Sequence, residues 1–391
     1  MASNDDDNDE VIKIRVYQRK IDKIRVEDLE RRCKVGQAES GFLFMDTMGD
    51  PMCRIRNSPL YKMLVAEFNN ELVGVIQGTI KIATFFSNLK DQAVIGYILG
   101  LRVSPLHRRT GIGSILVQKL EEWFVANHVD FAYMATEKDN EASVKLFTNK
   151  LGFIKFRTPA ILVNPVSHHS KPILPNVRIV KLRIEQAKFI YRKFMGSTDF
   201  FPCDIDEVLK NKLNLGTWIA YHRNESWNEF DSKFVPPNSW AMLSVWNSCE
   251  VFKLRVGKAP LSWKMYGKSS RFIDRLFPCL KIRAIPDVFN RFGFYFMYGV
   301  HCEGPDSGSL VHALCRFVHN MARKCKDCKV IVTEVGGCDD TLRVHIPHWR
   351  LLSCPEDLWC IKALKSEEKN ALFESIRTSH PRALFVDPRE V

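Results

Sequence analysis

The stretch "HRRTGIGSIL", residues 107–116, sets two glycines two apart, behind two arginines and ahead of residues with helical spacing. A helix N-terminus leaves about four backbone N–H groups without partners and carries about half a unit of positive charge, so a phosphate placed there meets both. Glycine is required where the backbone must approach such a ligand closely, because a Cβ would intrude. The candidate phosphate cradle is therefore the backbone of Arg108, Arg109, Thr110, Gly111, Ile112, Gly113 and Ser114, with the arginine side chains adding charge outside it. The plainer alternative is a tight turn that opens a helix.

What must position this loop is an alternation of strands and helices. Val11 to Tyr17 reads as a strand, and Arg25 to Cys33 as a helix with Val26, Leu29 and Cys33 on one side. Tyr61 to Glu67 and Glu71 to Thr84 read as a hairpin turning at Asn69-Asn70, a good turn pair although short of the ideal Asn-Gly. Val94 to Val103 is the next strand. Ser104-Pro105 separates it from a helix in which Ile112, Ile115, Leu116, Leu120, Trp123 and Phe124 recur at three- and four-residue intervals. Asp130 to Thr136 comes next as a buried strand, Ala142 to Lys150 as a helix ended by Leu151-Gly152, and Phe153 to Val163 as a strand. A breaker-rich stretch holding Pro159, Pro165, His168, His169, Pro172 and Pro175 then marks a domain boundary.

The order repeats beyond it. Val177 to Leu182 reads as a strand, Glu185 to Met195 as a helix and Thr217 to Tyr221 as a strand. Trp240 to Trp246 and Val251 to Arg255 read as a pair around Asn247-Ser248. Phe292 to Cys302 is a strand, Leu310, Leu314, Phe317, Val318 and Met321 mark an amphipathic helix, and Lys329 to Val335 is a buried strand. Val103 precedes Glu137 by 34 positions (137 − 103) and Val300 precedes Glu334 by the same 34 (334 − 300), with Thr-Glu ending a strand each time. An internal repeat is expected. The chain divides into an acidic tail at 1–10, a first α/β domain at 11–166, a linker at 167–176 and a second domain at 177–391 with a basic insertion near 253–291.

Composition agrees with two domains. The 391 residues exceed one ordinary core, and 46% apolar with 26% charged residues is a globular balance. No apolar run approaches the ~20 residues that span a bilayer. The polar start, MASNDDDNDE, is unlike a signal or transit peptide, so a cytosolic or nuclear protein without a membrane partner is expected. There the 12 cysteines should be reduced. Cys325 and Cys328 in CKDC have metal-ligand spacing, with His345, His348 and Cys354 downstream. A zinc site needs two regularly spaced pairs, and Cys338 and Cys354 do not supply the second, so buried thiols and no metal are expected. The net charge of +12 favours an acidic partner or ligand. Its excess is concentrated from Lys253 to Arg283, where Asp274 is the only acid and Trp263, Tyr266 and Phe272 are interleaved. That stretch reads either as a solvated connection or as an acidic-protein or nucleic-acid contact, and no recognisable DNA-binding motif accompanies it.

The segment "LRVSPLHRRTGIGSILVQKLEEW", the strand after it, and "NEASVKLFTNKLGF" together resemble the GNAT superfamily of acetyl-CoA-dependent N-acyltransferases over roughly residues 11–163. Arg108 to Gly113 match its loop, and Asn140, Ser143, Phe147, Gly152 and Phe153 its second block. Motifs along nearly the whole chain, "VEDLERRC", "FRTPAILVNPV", "IPHW", "LSCPEDLWCIK" and "FVDPRE", resemble the plant Hookless family of N-acetyltransferases. The resemblance implies an α/β (α+β) fold of tandem lobes. Each would be a mixed, mostly antiparallel sheet flanked by helices, the first intact and the second degenerate. It also implies acetyl-CoA as cofactor, an amine acceptor on a protein lysine, histone tail or N-terminus, direct attack in a ternary complex, and a nuclear, growth-regulatory role.

In such a fold, the resemblance further implies, strands around Leu101 and Phe131 splay to admit the pantetheine arm. Backbone groups of Leu101, Arg102 and Val103 would bond it, one N–H facing the thioester oxygen and contributing ~3 kcal/mol. The pyrophosphate would sit on the 108–114 loop, with Asn140, Ser143 and Phe147 lining the same site. A lysine acceptor of reference pKa ~10.4 must become neutral to attack, so it needs a base or a water relay. Tyr97, read as sharing a strand face with Leu99 and Leu101, is the candidate to hold that water or amine, and Glu137 is the candidate base. The plain alternatives are a half-buried strand aromatic and a solvated carboxylate.

Two departures from the superfamily pattern bear on catalysis. Phe147 stands where the superfamily often has a tyrosine that protonates the departing thiolate, and the second block runs one residue long between Phe147 and Gly152. They keep a second class of function open, a weak or inactive scaffold that binds acetyl-CoA or another small molecule as a regulator. The second half replaces HRRTGIG with "HCEGPDSGS". No lysine or arginine occurs between Arg291 and Arg316, and Glu303 and Asp306 sit where a pyrophosphate would lie. That lobe is expected not to bind acetyl-CoA, and instead to wall the acceptor site or recruit a partner.

Overall fold

Asn69 and Asn70 both adopt positive φ, 47° and 61°, as a two-residue hairpin turn requires. In the computed structural model they join β3 (Leu60–Phe68) to β4 (Glu71–Ser87), and the first sheet grows around this hairpin. The described residues are 12–33, 43–87, 90–225, 236–257, 286–336, 340–354, 356–378 and 383–391. The acidic tail at 1–10 and residues 258–285, most of the basic stretch, lie outside them.

On one side of the hairpin lies β1 (Lys13–Val16). On the other come β5 (Lys90–Val103), β6 (Phe131–Glu137), β15 (Asp357–Ala363) and the edge strand β7 (Ile154–Arg157). The β5/β6 pair is parallel and the other pairings are antiparallel. A parallel pair needs a crossover, supplied here by α2 (Ile112–Ala126). Its Leu116, Leu120 and Phe124 press onto Gly74, Gly78 and Gly96 of the sheet, where any Cβ would come within 3 Å of them. Burying five apolar side chains of α2, Ile112 and Val117 with those three, contributes roughly 1.5–3 kcal/mol apiece.

The second sheet repeats the plan in the order β8 (Ala160–Pro165), β14 (Cys328–Val335), β13 (Gly293–Glu303), β11 (Trp240–Asn247), β10 (Asn214–His222) and β9 (Val177–Lys181). Again one pair, β13/β14, is parallel, with α6 (Ser307–Ala322) as its crossover. The expected tandem α/β lobes with mixed, mostly antiparallel sheets are present. Helices α1 (Arg19–Arg32), α4 (Ile184–Met195) and α5 (Ile205–Lys210) and the buried residues 384–390 contribute to a core shared by the lobes.

Chain order and sheet membership part at two places. Strand β8 pairs with β14, from Ala160↔Val335 to Pro165↔Val330, while β15 returns to pair with β6, from Asp357↔Glu137 to Ala363↔Phe131. Each lobe thus borrows one strand from the other half of the chain. The stretch Phe153 to Val163, read as one strand, is two strands in two sheets, broken at Pro159, which lacks the N–H a ladder needs. Val251 to Arg255 does not pair with β11 either. A short turn at Ser248–Glu250 redirects it, and β12 (Lys253–Val256) pairs with β2 (Leu43–Asp46).

The repeat is real, but its register differs from the 34-residue reading. Parallel pairing ends at Ile98↔Met134 in the first lobe and at Met297↔Thr333 in the second, and Gly100 (φ 63°) matches Gly299 (φ 58°). All three correspondences lie 199 positions apart (297 − 98, 333 − 134, 299 − 100). Glu334 therefore corresponds to Ala135, and Glu137 to Gly336. The shared Thr-Glu is a coincidence of sequence, because strand pairing and the glycine bulge set the register.

Candidate active site

Val103 ends β5, and residues 104–111 turn through Pro105–His107 into α2. Arg109 has φ 69° and Gly111 φ 93°. For arginine that left-handed conformation costs roughly 1–2 kcal/mol and must be held by its surroundings. Thr110 Oγ1 donates to the His107 carbonyl at 2.8 Å, and the His107 ring meets Phe68 edge-on at 5.4 Å. Gly111 is required by its backbone. Gly113 is not, since a Cβ there would meet only Leu146, Val103 and Leu101 at 3.6–3.9 Å, ordinary contact distances. The space left by its missing side chain belongs to a groove. Helix α2 has no side-chain cap and no acid in its first turn, so its N–H groups suit an anion.

That groove holds about 1290 Å³ and reaches from the loop into the gap between β5 and β6. The gap has a local cause. Leu99 pairs with Gln77 and Arg102 with Val75, so β5 carries one extra residue at Gly100 and its pairing with β6 stops. Leu101, Arg102, Val103, Arg108, Arg109, Gly111, Gly113 and Ser114 line the groove on one side, and Asn140, Ser143 and Phe147 on the other. Two expected residues do not. Thr110 turns to His107, and Ile112 is buried against Gly74. The Arg102 guanidinium is tied to Glu30 at 3.2 Å.

Asn140 caps α3 (Glu141–Lys145), its side chain accepting from the Ser143 N–H at 3.3 Å. The helix then widens into one π turn, Leu146–Lys150, with the Leu151 N–H donating to the Leu146 carbonyl at 3.2 Å. This turn absorbs the extra residue between Phe147 and Gly152. Phe147 is buried, edge-on to Phe153 at 5.1 Å.

Tyr97 and Leu99 face the core between the lobes, whereas Leu101 lies on the α2 side with Ile98. Tyr97 and Leu101 therefore do not share a face, because the extra residue at Gly100 inverts the alternation. Tyr97 stacks on Tyr133 at 4.6 Å, and Tyr133 on Trp359 at 5.0 Å. Burial, with the carboxylates of Glu390, Glu334 and Asp357 nearby, holds the Tyr97 phenol well above its ordinary pKa, so it stays neutral. Glu137 ends β6 open to solvent, its carboxyl raised by partial desolvation and by Asp139. Across the ladder, burial and Glu137 push Asp357 up to about 7.

The distant end of the chain supplies what the sequence reading missed. Glu390 accepts from the Tyr133 O–H at 2.5 Å and pairs with Lys81 at 2.6 Å. Arg389 bridges Asp387 and Asp204, both at 2.7 Å. Asp387, Arg389 and Glu390 stand in FVDPRE, which carried resemblance but no spacing that ties them to Tyr97.

The acetyltransferase (GNAT) family model matches residues 24–153. The chain is 46% identical to "Probable N-acetyltransferase HLS1" of Arabidopsis thaliana, over 96% of this chain and 99% of that relative. The chain belongs to the GNAT acetyltransferases. "Acetyl transferase GW6a" of Oryza sativa subsp. japonica is a further relative of this GNAT chain, 35% identical over 97% of each. Among solved structures, Saccharomyces cerevisiae N-myristoyltransferase with bound myristoyl-CoA is similar at TM-score 0.54 and 11% identity, covering 90% of this chain and 79% of that one, a likeness of fold. The GNAT chain is an enzyme, an N-acetyltransferase.

Its second lobe keeps the bulge but not the open helix end. Residues 304–306 alone join β13 to α6, between Glu303 and Ser307. A Cβ at Gly308 in the first turn of α6 would collide with the ring of His345, which ends α7 (Asp340–His345). The N-terminus of α6 is thus covered where that of α2 is open. At the opposite end of β13, beside Gly293, the buried Cys249 thiol lies against Cys328, and that thiol and burial raise its pKa. Among the described residues no group of three His, Cys, Asp or Glu is arranged to hold a metal, and no helix is long and apolar enough to cross a membrane.

Proposed function

We propose that the chain transfers an acetyl group from acetyl-CoA to an amine by direct attack in a ternary complex, with the cofactor held by the first lobe alone. The observation that carries this reading is the groove. It joins an uncapped, acid-free helix start, the strained turn at Arg109 and Gly111, and the space at Gly113 to the gap between β5 and β6. Acetyl-CoA supplies an acyl group already activated as a thioester. The N–H groups from Gly111 to Ser114 hold its pyrophosphate, with Arg108 and Arg109 outside. Leu101 to Val103, released from β6 by the bulge, offer backbone groups to the arm.

An ammonium acceptor gives up one proton before attack and another as the C–N bond forms and the C–S bond breaks. Tyr97, a neutral donor on the groove wall, suits holding the amine or its water. Glu137, raised and open to solvent, suits carrying the proton away. Phe147 cannot protonate the departing sulfur, but a thiol pKa near 8.5 makes thiolate a tolerable leaving group. The acceptor we infer is a protein amine, a lysine or histone tail or an N-terminus. The setting we infer is the nucleus or cytoplasm in a growth-regulatory role, on the strength of the Hookless resemblance. The basic 253–283 stretch is its proposed acidic or nucleic-acid contact.

Mass spectrometry of histones, lysine peptides and polyamines incubated with protein and acetyl-CoA tests the reading, with Gly113→Glu as control. Acetylated product with the native chain and none with the variant is expected. Acetyl-CoA binding without any product would favour a regulator, the reading that Phe147 supports. Unchanged pH–rate profiles in Tyr97→Phe and Glu137→Gln would remove those residues from the reaction.

A further inference from the structure

The gap that forms the groove in the first lobe has a counterpart in the second, a cavity of about 530 Å³ between β13 and β14. It begins where the bulge at Gly299 ends the pairing after Met297↔Thr333, and Phe194, Leu384 and Phe385 wall it. With the start of α6 covered by His345, it adjoins no anion site. Its lining is largely apolar and aromatic, and among the described residues no lysine or arginine lines it. One acid breaks that character: Glu334 stands where the first lobe has Ala135.

Glu334 Oε1 accepts from the Trp359 Nε1–H at 3.0 Å. Among the described residues no cation pairs with Glu334 or with the adjacent Asp357. Lys81 is engaged by Glu390 at 2.6 Å and Asp387 at 3.6 Å. Among the described residues the other titratable groups of the wall are His301, which approaches Glu303 at 3.4 Å, and Tyr298, whose hydroxyl donates to Asn214 at 3.0 Å.

We propose that this second-lobe cavity binds a primary amine carried on an apolar stem, with Glu334 holding the ammonium group. The stem buries against the aromatic and aliphatic wall, and the ammonium makes charge-assisted hydrogen bonds to Glu334, which ionises on pairing and has no other cation partner among the described residues. An anionic or a neutral ligand would leave Glu334 in its protonated form and gain no ion pair with it. The cavity shares no lining residue with the first-lobe groove, although Glu334 lies near enough to Tyr97 to raise it, and its amine binding stands independently of the function proposed for that groove.

Burial, with the charges of Asp357 and Glu390, pushes Glu334 up to about 8. At pH 7 it is therefore mostly protonated, while an alkylammonium of pKa ~10 is fully charged. Pairing the two favours the ionised carboxyl, so binding should release close to one proton.

Calorimetry of the full chain with hexylamine and phenethylamine, against hexanol and 2-phenylethanol, in two pH 7 buffers of different ionisation enthalpy, tests this. Saturable one-to-one binding of the amines is expected, roughly tenfold or more tighter than of the alcohols. Proton release and a shifted indole N–H resonance of Trp359, assigned through Trp359→Phe, should accompany it. Glu334→Gln should lose that tenfold margin and the proton release while still binding the alcohols. Amines that bind no better than alcohols in the native chain overturn the proposal, as does full amine affinity in a folded Glu334→Gln.

Discussion

The two lobes interrupt their sheets in the same way and finish the interruption differently. Gly100 and Gly299 share a left-handed φ, both add one residue to the strand, and both stop a parallel ladder at the same place. The cleft is therefore a property of the repeated sheet. Its use is decided by the connection that leaves the strand. Residues 104–111 in the first lobe make a basic loop that leaves a helix end open. Residues 304–306 in the second make an acidic short cut to a helix end that His345 covers. On the proposed function, recognition of a phosphate-bearing ligand is carried by the loop, and the fold alone does not confer it.

The comparison breaks most visibly at Gly113. Gly113→Glu should weaken acetyl-CoA binding by about 100-fold or more, about 2.7 kcal/mol, whereas Asp306→Lys should leave the stoichiometry at one. Equilibrium dialysis measures both, and a second bound acetyl-CoA in Asp306→Lys would show that charge alone separates the lobes. Next comes the bulge itself. Gly100→Ala should cost about 1–2 kcal/mol of stability in urea unfolding, from its backbone alone. Gly299→Ala should cost more, because its Cβ would also strike Tyr191.

Acidity separates the lobes more gently. Glu334, raised from 4.5 to about 8, and Asp357, raised from 3.8 to about 7, favour the folded state while protonated. Their contribution is complete below about pH 4 and is lost as pH rises through 7 and 8, so the melting temperature of the native chain should fall over that range and that of Glu334→Gln should fall less. Glu67 runs the other way. Arg15 and Arg25 hold it down to about 2, so its contribution is present above about 4.5 and disappears as pH falls through 2. The smallest effect is expected from Gly113→Ala. Its unfolding free energy should stay within about 0.5 kcal/mol of native, because the methyl meets no close neighbour, while acetyl-CoA binding weakens.

Local pattern carried the sequence reading as far as local physics reaches. The Asn69-Asn70 turn, helix α2 and the loop before it are where their residues place them, because turn conformation, apolar spacing and glycine pairs act within a few positions. The reading slipped wherever one residue changes a register. A bulge at Gly100 leaves alternation in the sequence intact while it inverts the face of Leu101, and a two-position slip turned Glu334 into a mistaken counterpart of Glu137. Thr-Pro at 158–159 was visible as a breaker, but nothing nearby says that the strands on either side enter different sheets. Glu334, Trp359, Glu390 and Lys81 meet only through the tertiary fold, so no spacing could have joined them.

The exchanged strands also set a schedule. Among the described residues edge strand β7 pairs with β15 alone, and β15 begins 200 positions later (357 − 157). At about 5–20 residues per second, a ribosome needs roughly 10–40 s to cover that interval. Throughout it the edge of β6 stands open as a template for wrong pairing. The half of the chain that carries the acetyltransferase motifs therefore waits, during every round of synthesis, on the half that does not.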